Sequence, residues 1–130
     1  MNNSGLRPVF VIDDDEGVRR STQALLESSG FHVQAFANAE ELLAAGTAEQ
    51  AGCIVLDQNL SGMTGIDLME ALRAQGLQMP AIIVTANGSK LGVRAAHVGI
   101  TAVLCKPLAA EALAEWLNRL MPRALSSGPC

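Results

Sequence analysis

Short apolar runs of strand length recur along the chain, separated by stretches long enough for a helix. Val9-Phe10-Val11-Ile12, Ile54-Val55-Leu56, Ala81-Ile82-Ile83-Val84 and Ala102-Val103-Leu104-Cys105 are rich in β-branched residues and bounded by Gly or Pro. Such runs read as strands buried on both faces, which points to a parallel sheet with helices on either side. Strands are expected at 8–13, 31–36, 52–57, from Pro80 onward and at 101–105. Helices are expected at about 15–29, 38–45, 65–75, 88–98 and 109–121. Right-handed crossovers then make an α/β fold, a doubly wound five-stranded parallel sheet of order 2-1-3-4-5, the expected architecture.

Local punctuation supports these boundaries. Gly30 is placed to end the first helix in the left-handed conformation, Asn38 to cap the second and Gly46 to close it. Gly76 stops the third helix, and Pro80 opens the fourth strand where its missing N–H is tolerated. Val18, Thr22, Leu25 and Leu26 share one face of the first helix at helical spacing, as do Leu113, Trp116, Leu117 and Leu120 in the last. The weaker alternation at 31–36 reads as an edge strand. Gly88, Ser89 and Gly92 lower the propensity of the fourth helix, which is expected to be the most mobile. Residues 1–6 are expected to be disordered, 7–121 to form one domain, and 122–130 to be a linker or tail.

The bulk numbers narrow the partners. At 130 residues, 49% hydrophobic and 17% charged, the chain has room for one globular domain. No apolar stretch approaches the roughly 18 residues of a membrane span, and 1–5 lack the pattern of a secretory signal, so a cytoplasmic location is expected. A net charge of −4, acids clustered at 13–16 and the absence of Tyr argue against direct nucleic-acid binding. The three cysteines have no CxxC spacing, which disfavours zinc and a structural disulfide. Cys53 and Cys105, in strands, are expected to be small buried thiols, and Cys130 an exposed one.

The residues that close the runs are more specific. The strands end on Asp13-Asp14, Asp57, Thr85 and Lys106-Pro107. In an open parallel sheet, ligands bind beyond the carboxyl ends of the strands, so three carboxylates, a hydroxyl and an ammonium converge on one rim. Two adjacent acids after a buried strand need compensation, and a hard divalent cation such as Mg²⁺ supplies it. The alternative is helix capping, with Asp13 and Glu16 at capping-box spacing. Asp57 is either a loop cap or, beside Asp13 and Asp14, a third ligand and a nucleophile able to carry an aspartyl-phosphate. Thr85 is either an N-cap or a hydroxyl placed to bind a phosphoryl oxygen. Lys106 at the end of a buried strand requires a partner; Asp57 is the nearest remedy and a phosphate a better one. The Lys106–Pro107 peptide is a candidate for the cis form.

In order and spacing, these motifs resemble the receiver domain of two-component response regulators. The match runs over about 7–121, through Val-Ile-Asp-Asp-Asp-Glu (11–16), Ile-Val-Leu-Asp-Gln-Asn-Leu-Ser-Gly-Met-Thr-Gly (54–65), Ile-Val-Thr-Ala (83–86) and Lys-Pro (106–107). The resemblance implies that Asp57 accepts a phosphoryl group from a sensor histidine kinase, a phosphotransfer protein or a small phosphodonor. It implies a Mg²⁺ site of Asp13, Asp14, Asp57 and the Asn59 carbonyl, with Asp14 binding directly and Asp13 through water. Thr85 and Lys106 would contact the phosphoryl group. Turnover of an external substrate is not implied. Output would pass through partner binding or a homodimer built on helix four, strand five and helix five, whose apolar face carries Lys90, Arg94 and Arg119.

Two departures bear on output. Val103 stands where the family usually has a switch aromatic, and Leu60-Ser61 where it often has Met-Pro. Neutral Asn59 and Asn87 beside the site imply moderately fast loss of phosphate. Other readings are weaker. A haloacid-dehalogenase-type phosphatase needs a second acid two residues after the nucleophile, and Asp57-Gln58-Asn59 lacks it. A flavin or nucleotide module needs a Gly-rich phosphate loop after strand one, where this chain puts four acids. A degenerate receiver that binds partners without phosphorylation is the remaining alternative.

Overall fold

The computed structural model of the chain describes residues 7–86, 92–106 and 110–120. Its strands are β1 (Val9–Ile12), β2 (Val33–Phe36), β3 (Cys53–Asp57), β4 (Ala81–Thr85) and β5 (Ala102–Cys105). They alternate with helices α1 (Glu16–Ser28), α2 (Ala39–Ala45), α3 (Gly65–Ala74), α4 (Gly92–His97) and α5 (Ala110–Leu120). All strand pairs are parallel, in the order β2-β1-β3-β4-β5 expected of the sequence. The expectations for 1–6, 87–91, 121–130 and the Lys106–Pro107 bond fall wholly or partly on residues outside those described.

The period-two alternation of the strands divides the core. Phe10, Ile12, Ile54, Leu56 and Ile83 face Leu42 of α2, Leu68 and Leu72 of α3, and Ala95 of α4. Val9, Val11, Cys53, Val55, Ile82 and Val84 point the other way, toward Leu26 of α1 and Leu113 and Leu117 of α5. The central strands β1, β3 and β4 are buried throughout, whereas β2 is partly exposed, as an edge strand should be.

The helix ends arise from local chemistry. Gly30 takes φ 95°, its N–H donating to the Glu27 carbonyl and that of Phe31 to the Leu26 carbonyl. That pattern satisfies the last carbonyls of α1 and turns Phe31 into the core. The Asn38 side chain accepts from the Glu41 N–H, and Gly46 closes α2 in the left-handed region. Thr64 and Asp67 form a reciprocal capping box at the start of α3.

The face of α1 bearing Val18, Thr22, Leu25 and Leu26 is buried unevenly: Leu26 is enclosed, Thr22 and Leu25 are half-buried, and Val18 is 41% exposed. One expectation is corrected: Cys105 is exposed, because it is the last residue of edge strand β5. Cys53 lies inside β3 as expected, and desolvation pushes its thiol up to about 12.

Candidate functional site

Asp13, the residue after β1, is fixed on three sides, by two backbone groups and one side chain. Its N–H donates to the Phe36 carbonyl at 3.2 Å, and its Oδ1 accepts the Asp15 N–H at 2.9 Å. The Arg19 guanidinium donates to its carbonyl at 2.8 Å. The capping of α1 falls to Asp15, whose carboxylate accepts the Val18 N–H at 3.1 Å, so Asp13 and Asp14 are not the helix cap. Asp13 is 8% exposed, while Asp14 lies open to solvent.

Asp57 ends β3 and is 5% exposed. Both carboxylate oxygens are engaged: Oδ1 accepts the Asn59 N–H at 3.0 Å and Oδ2 accepts from Lys106 Nζ at 2.8 Å. The loop after Asp57 folds back tightly. The Gly65 N–H donates to the Gln58 carbonyl, and a Cβ at Gly65 would lie 2.8 Å from the Asp57 carbonyl oxygen. Only glycine admits that approach. The Gln58 side chain accepts the Ile66 N–H and so helps start α3.

Lys106 reaches Asp57 from the end of β5, and its N–H donates to the Thr85 carbonyl at 2.9 Å. Thr85 is buried at the end of β4, in register with Cys105. The structure thus brings Asp13, Asp14, Asp57 and Lys106 together, with Asn59 hydrogen-bonded to Asp57 and Thr85 at the same edge of the sheet.

The charges are strongly coupled. Burial is the main cause that lifts the Asp13 carboxyl above its ordinary range, and the charges of Asp57 and Asp14 push the same way. The Asp15 N–H and Lys106 oppose that rise. Lys106 is held above its ordinary value, first by the Asp57 hydrogen bond and then by the charges of Asp57, Asp13 and Asp14, against some desolvation. One oxygen from each of Asp13, Asp14 and Asp57 lies within 4.8 Å of the others. Three convergent carboxylates with excess negative charge match the oxygen donor set of a hard divalent cation. A cavity of about 310 Å³ opens beside them under α1, between Asp13, Asp57 and Lys106 at one end and Val11, Val55 and Leu25 further in.

Residues 9–118 match the response regulator receiver domain family. The chain belongs to that family. It is 38% identical over 122 residues to the transcriptional regulatory protein FixJ of Azorhizobium caulinodans, which covers 93% of this chain and 58% of that protein. It is 38% identical over 112 residues to DctD, a C4-dicarboxylate transport transcriptional regulatory protein of Rhizobium meliloti, covering 85% of this chain and 24% of that one. The receiver therefore spans little more than half of the first relative and about a quarter of the second. A CheY-like receiver domain protein from Methanospirillum hungatei superposes with a TM-score of 0.82 at 28% identity, covering 95% of this chain and 99% of that chain.

Two features of the receiver's site went unread in the sequence. Ser61 donates to Asp14 Oδ2 at 2.9 Å across 47 positions of chain. Arg19 braces the Asp13 carbonyl from within α1. The order of residues carries no signal for either, since each depends on how distant atoms meet in the fold. Val103, at the place of the usual aromatic, packs partly buried against the core beneath α4.

Proposed function

We propose that this receiver is a phosphorylation switch, with Asp57 as the phosphoryl acceptor. The observation that carries the reading is the buried Asp57 carboxylate held at 2.8 Å by Lys106 with two further acids alongside. An Asp57 oxygen would attack phosphorus as the bond to the donor's leaving group breaks. The leaving group would depart with the electron pair and take a proton from solvent. The Asn59 N–H and the Lys106 ammonium hold the carboxylate still before the reaction, which removes an orientational cost. Lys106 would then pass its hydrogen bonds to a phosphoryl oxygen, and the Thr85 hydroxyl would bind another. Attack by water returns the carboxylate and releases inorganic phosphate.

Asp13, Asp14, Asp57 and the Asn59 carbonyl would hold Mg²⁺. When bound, Mg²⁺ offsets the charge of the acids and of the transferring phosphoryl group. The donor would be a sensor histidine kinase, a phosphotransfer protein or a small acyl phosphate, and no external substrate would be turned over. Modification adds about −1.5 to −2 charge and several strong acceptors at Asp57, enough to bias a two-state element. The segment 86–99 and the face of α4, β5 and α5 would respond, docking a partner or a second copy. The curated relatives are longer transcriptional regulators, and the receiver would work in the cytoplasm. Among the described residues no helix is long and apolar enough to cross a membrane.

The test is intact-mass measurement after incubation with Mg²⁺ and acetyl phosphate. A phosphate-sized gain on the wild type that Asp57→Asn abolishes is expected. No gain would refute the proposal and favour a receiver that binds partners without phosphorylation, and the same gain on the variant would refute Asp57 as the acceptor.

A further inference from the structure

We propose that Ser61 is a positioning residue for the cation site: its hydroxyl orients the Asp14 carboxylate and ties the acceptor loop to the metal. The inference rests on the Mg²⁺ reading of the three acids. Ser61 Oγ donates to Asp14 Oδ2 at 2.9 Å. Asp14 has the greatest freedom of the three acids, since it is exposed while Asp13 and Asp57 are buried. An exposed carboxylate samples several rotamers, and fixing it before the cation arrives removes that entropy from the binding step.

The neighbours of Ser61 deliver the hydroxyl with little freedom of its own. Leu60, on one side, is anchored in the core at 9% exposure. Gly62, on the other, takes φ 89° and lies so close to Glu40 of α2 that an added Cβ would meet its Oε2 at 2.8 Å. The Asn59 N–H is already committed to Asp57. The backbone at 61 is therefore anchored through Leu60 and turned by the left-handed Gly62, and its side chain joins the loop after β3 to the loop after β1. With Oδ2 engaged by the hydroxyl, Asp14 presents its remaining lone pairs to a cation in one orientation. A proline ring stiffens such a loop unconditionally. The serine link depends on Asp14, so cation binding and order in the acceptor loop reinforce one another.

Mn²⁺ binding, followed by electron paramagnetic resonance of the free ion, gives a readout independent of phosphorylation. Ser61→Ala should weaken Mn²⁺ binding about three- to tenfold, at or below the low end for outer-sphere partners because Asp14 is exposed. Ser61→Thr, which keeps the hydroxyl, should bind like the wild type. In acetyl phosphate reactions, Ser61→Ala should raise the Mg²⁺ concentration for half-maximal rate by the same factor and leave the rate at saturating Mg²⁺ unchanged. Equal or tighter Mn²⁺ binding by Ser61→Ala, with the wild type binding and Asp14→Asn impaired, would overturn the role of Ser61 alone. Failure of the wild type to bind either ion would overturn the Mg²⁺ reading and this inference together.

Discussion

Beneath α2, α3 and α4 the sheet presents Phe10, Ile12, Ile54, Leu56 and Ile83; beneath α1 and α5 it presents Val9, Val11, Val55, Ile82 and Val84. The strands are about equally apolar on both sides, and the difference lies in what covers them. On the first side, Leu42, Ile66, Leu68, Met69 and Leu72 fill the space, and Arg73 pins the end of α3 to the Val98 and Gly99 carbonyls. On the second, among the described residues, Leu26, Phe31, Leu113 and Leu117 complete the buried cluster, and a cavity of about 310 Å³ remains under α1. That cavity ends at Asp13, Asp57 and Lys106. The acids thus sit where, among the described residues, the α1 side of the sheet leaves that space open. Close packing resists displacement, whereas a void leaves room for the first turn of α1 and the Lys106 side chain to adjust.

Truncating a helix leucine on each face should separate the two most clearly. Leu68→Ala, fully buried in α3, should cost about 3–4 kcal/mol, because the surrounding core cannot collapse into the space. Leu25→Ala, beside the existing cavity in α1, should cost about 1 kcal/mol, since it loses few packed neighbours. The two share the same helix-propensity change, so urea denaturation compares burial and packing, Leu68 being enclosed and Leu25 half-buried. Equal losses would remove the asymmetry.

The next effect lies where the two faces meet. Lys106→Met leaves Asp57 buried beside two other acids. Removing one partner of a fully buried pair costs about 3–5 kcal/mol, but Lys106 is 35% exposed, and solvent screening brings the expectation to about 1–2 kcal/mol at neutral pH. The ammonium is held above its ordinary 10.5 in the fold, so its contribution is complete below that pH and disappears as pH rises through the folded value. Wild-type stability should therefore fall in that alkaline window, and the variant should lack that component of the fall. Parallel urea titrations at pH 8 and above 10.5 would check both points.

The sequence made the frame legible because every strand obeys one period and ends on its own marker. Asp57 and Lys106 could be matched in advance, since a cation at the end of a buried strand must find an anion. The depth of burial along α1 could not be read in the same way. Val18 and Leu25 share a helical face with Leu26, and only the approach of α1 to the sheet decides which of them is enclosed. Cys105 shows the same limit: strand residues inside and at the edge of a sheet look alike in a short apolar run. Ser61 was visible as a departure from a more rigid loop, but its bond to Asp14 joins two loops whose separation no local pattern encodes.

Asp13→Asn should have a smaller effect, and of opposite sign. The Asp13 carboxyl titrates above its ordinary 3.8 in the fold, chiefly through burial. It binds its proton more tightly folded than unfolded, so stability rises as pH drops from the folded value toward 3.8. At neutral pH the ionised form is a net cost, and the uncharged amide should raise Tm by a few degrees. The gain should shrink in acid as the wild-type carboxyl protonates. A lower Tm for the variant at neutral pH would show that the Asp15 N–H and Lys106 outweigh burial.

The smallest expected effect addresses the cavity itself. Thr22 is half-buried in α1 and lines the void from the helix side. Thr22→Ile keeps the β-branch, so the helix propensity changes little, and it trades a hydroxyl for apolar bulk in a space already bounded by Val11, Val55 and Leu25. Burying about one extra methylene without displacing neighbours should stabilise the fold by roughly 0.5–1 kcal/mol. Phosphorylation by acetyl phosphate should be unchanged, because neither Asp57 nor Lys106 is altered. A loss of about 1 kcal/mol or more would mean that α1 already closes tightly over this side, since overpacking a filled core carries that penalty. The contrast between the two faces would then be one of side-chain size alone.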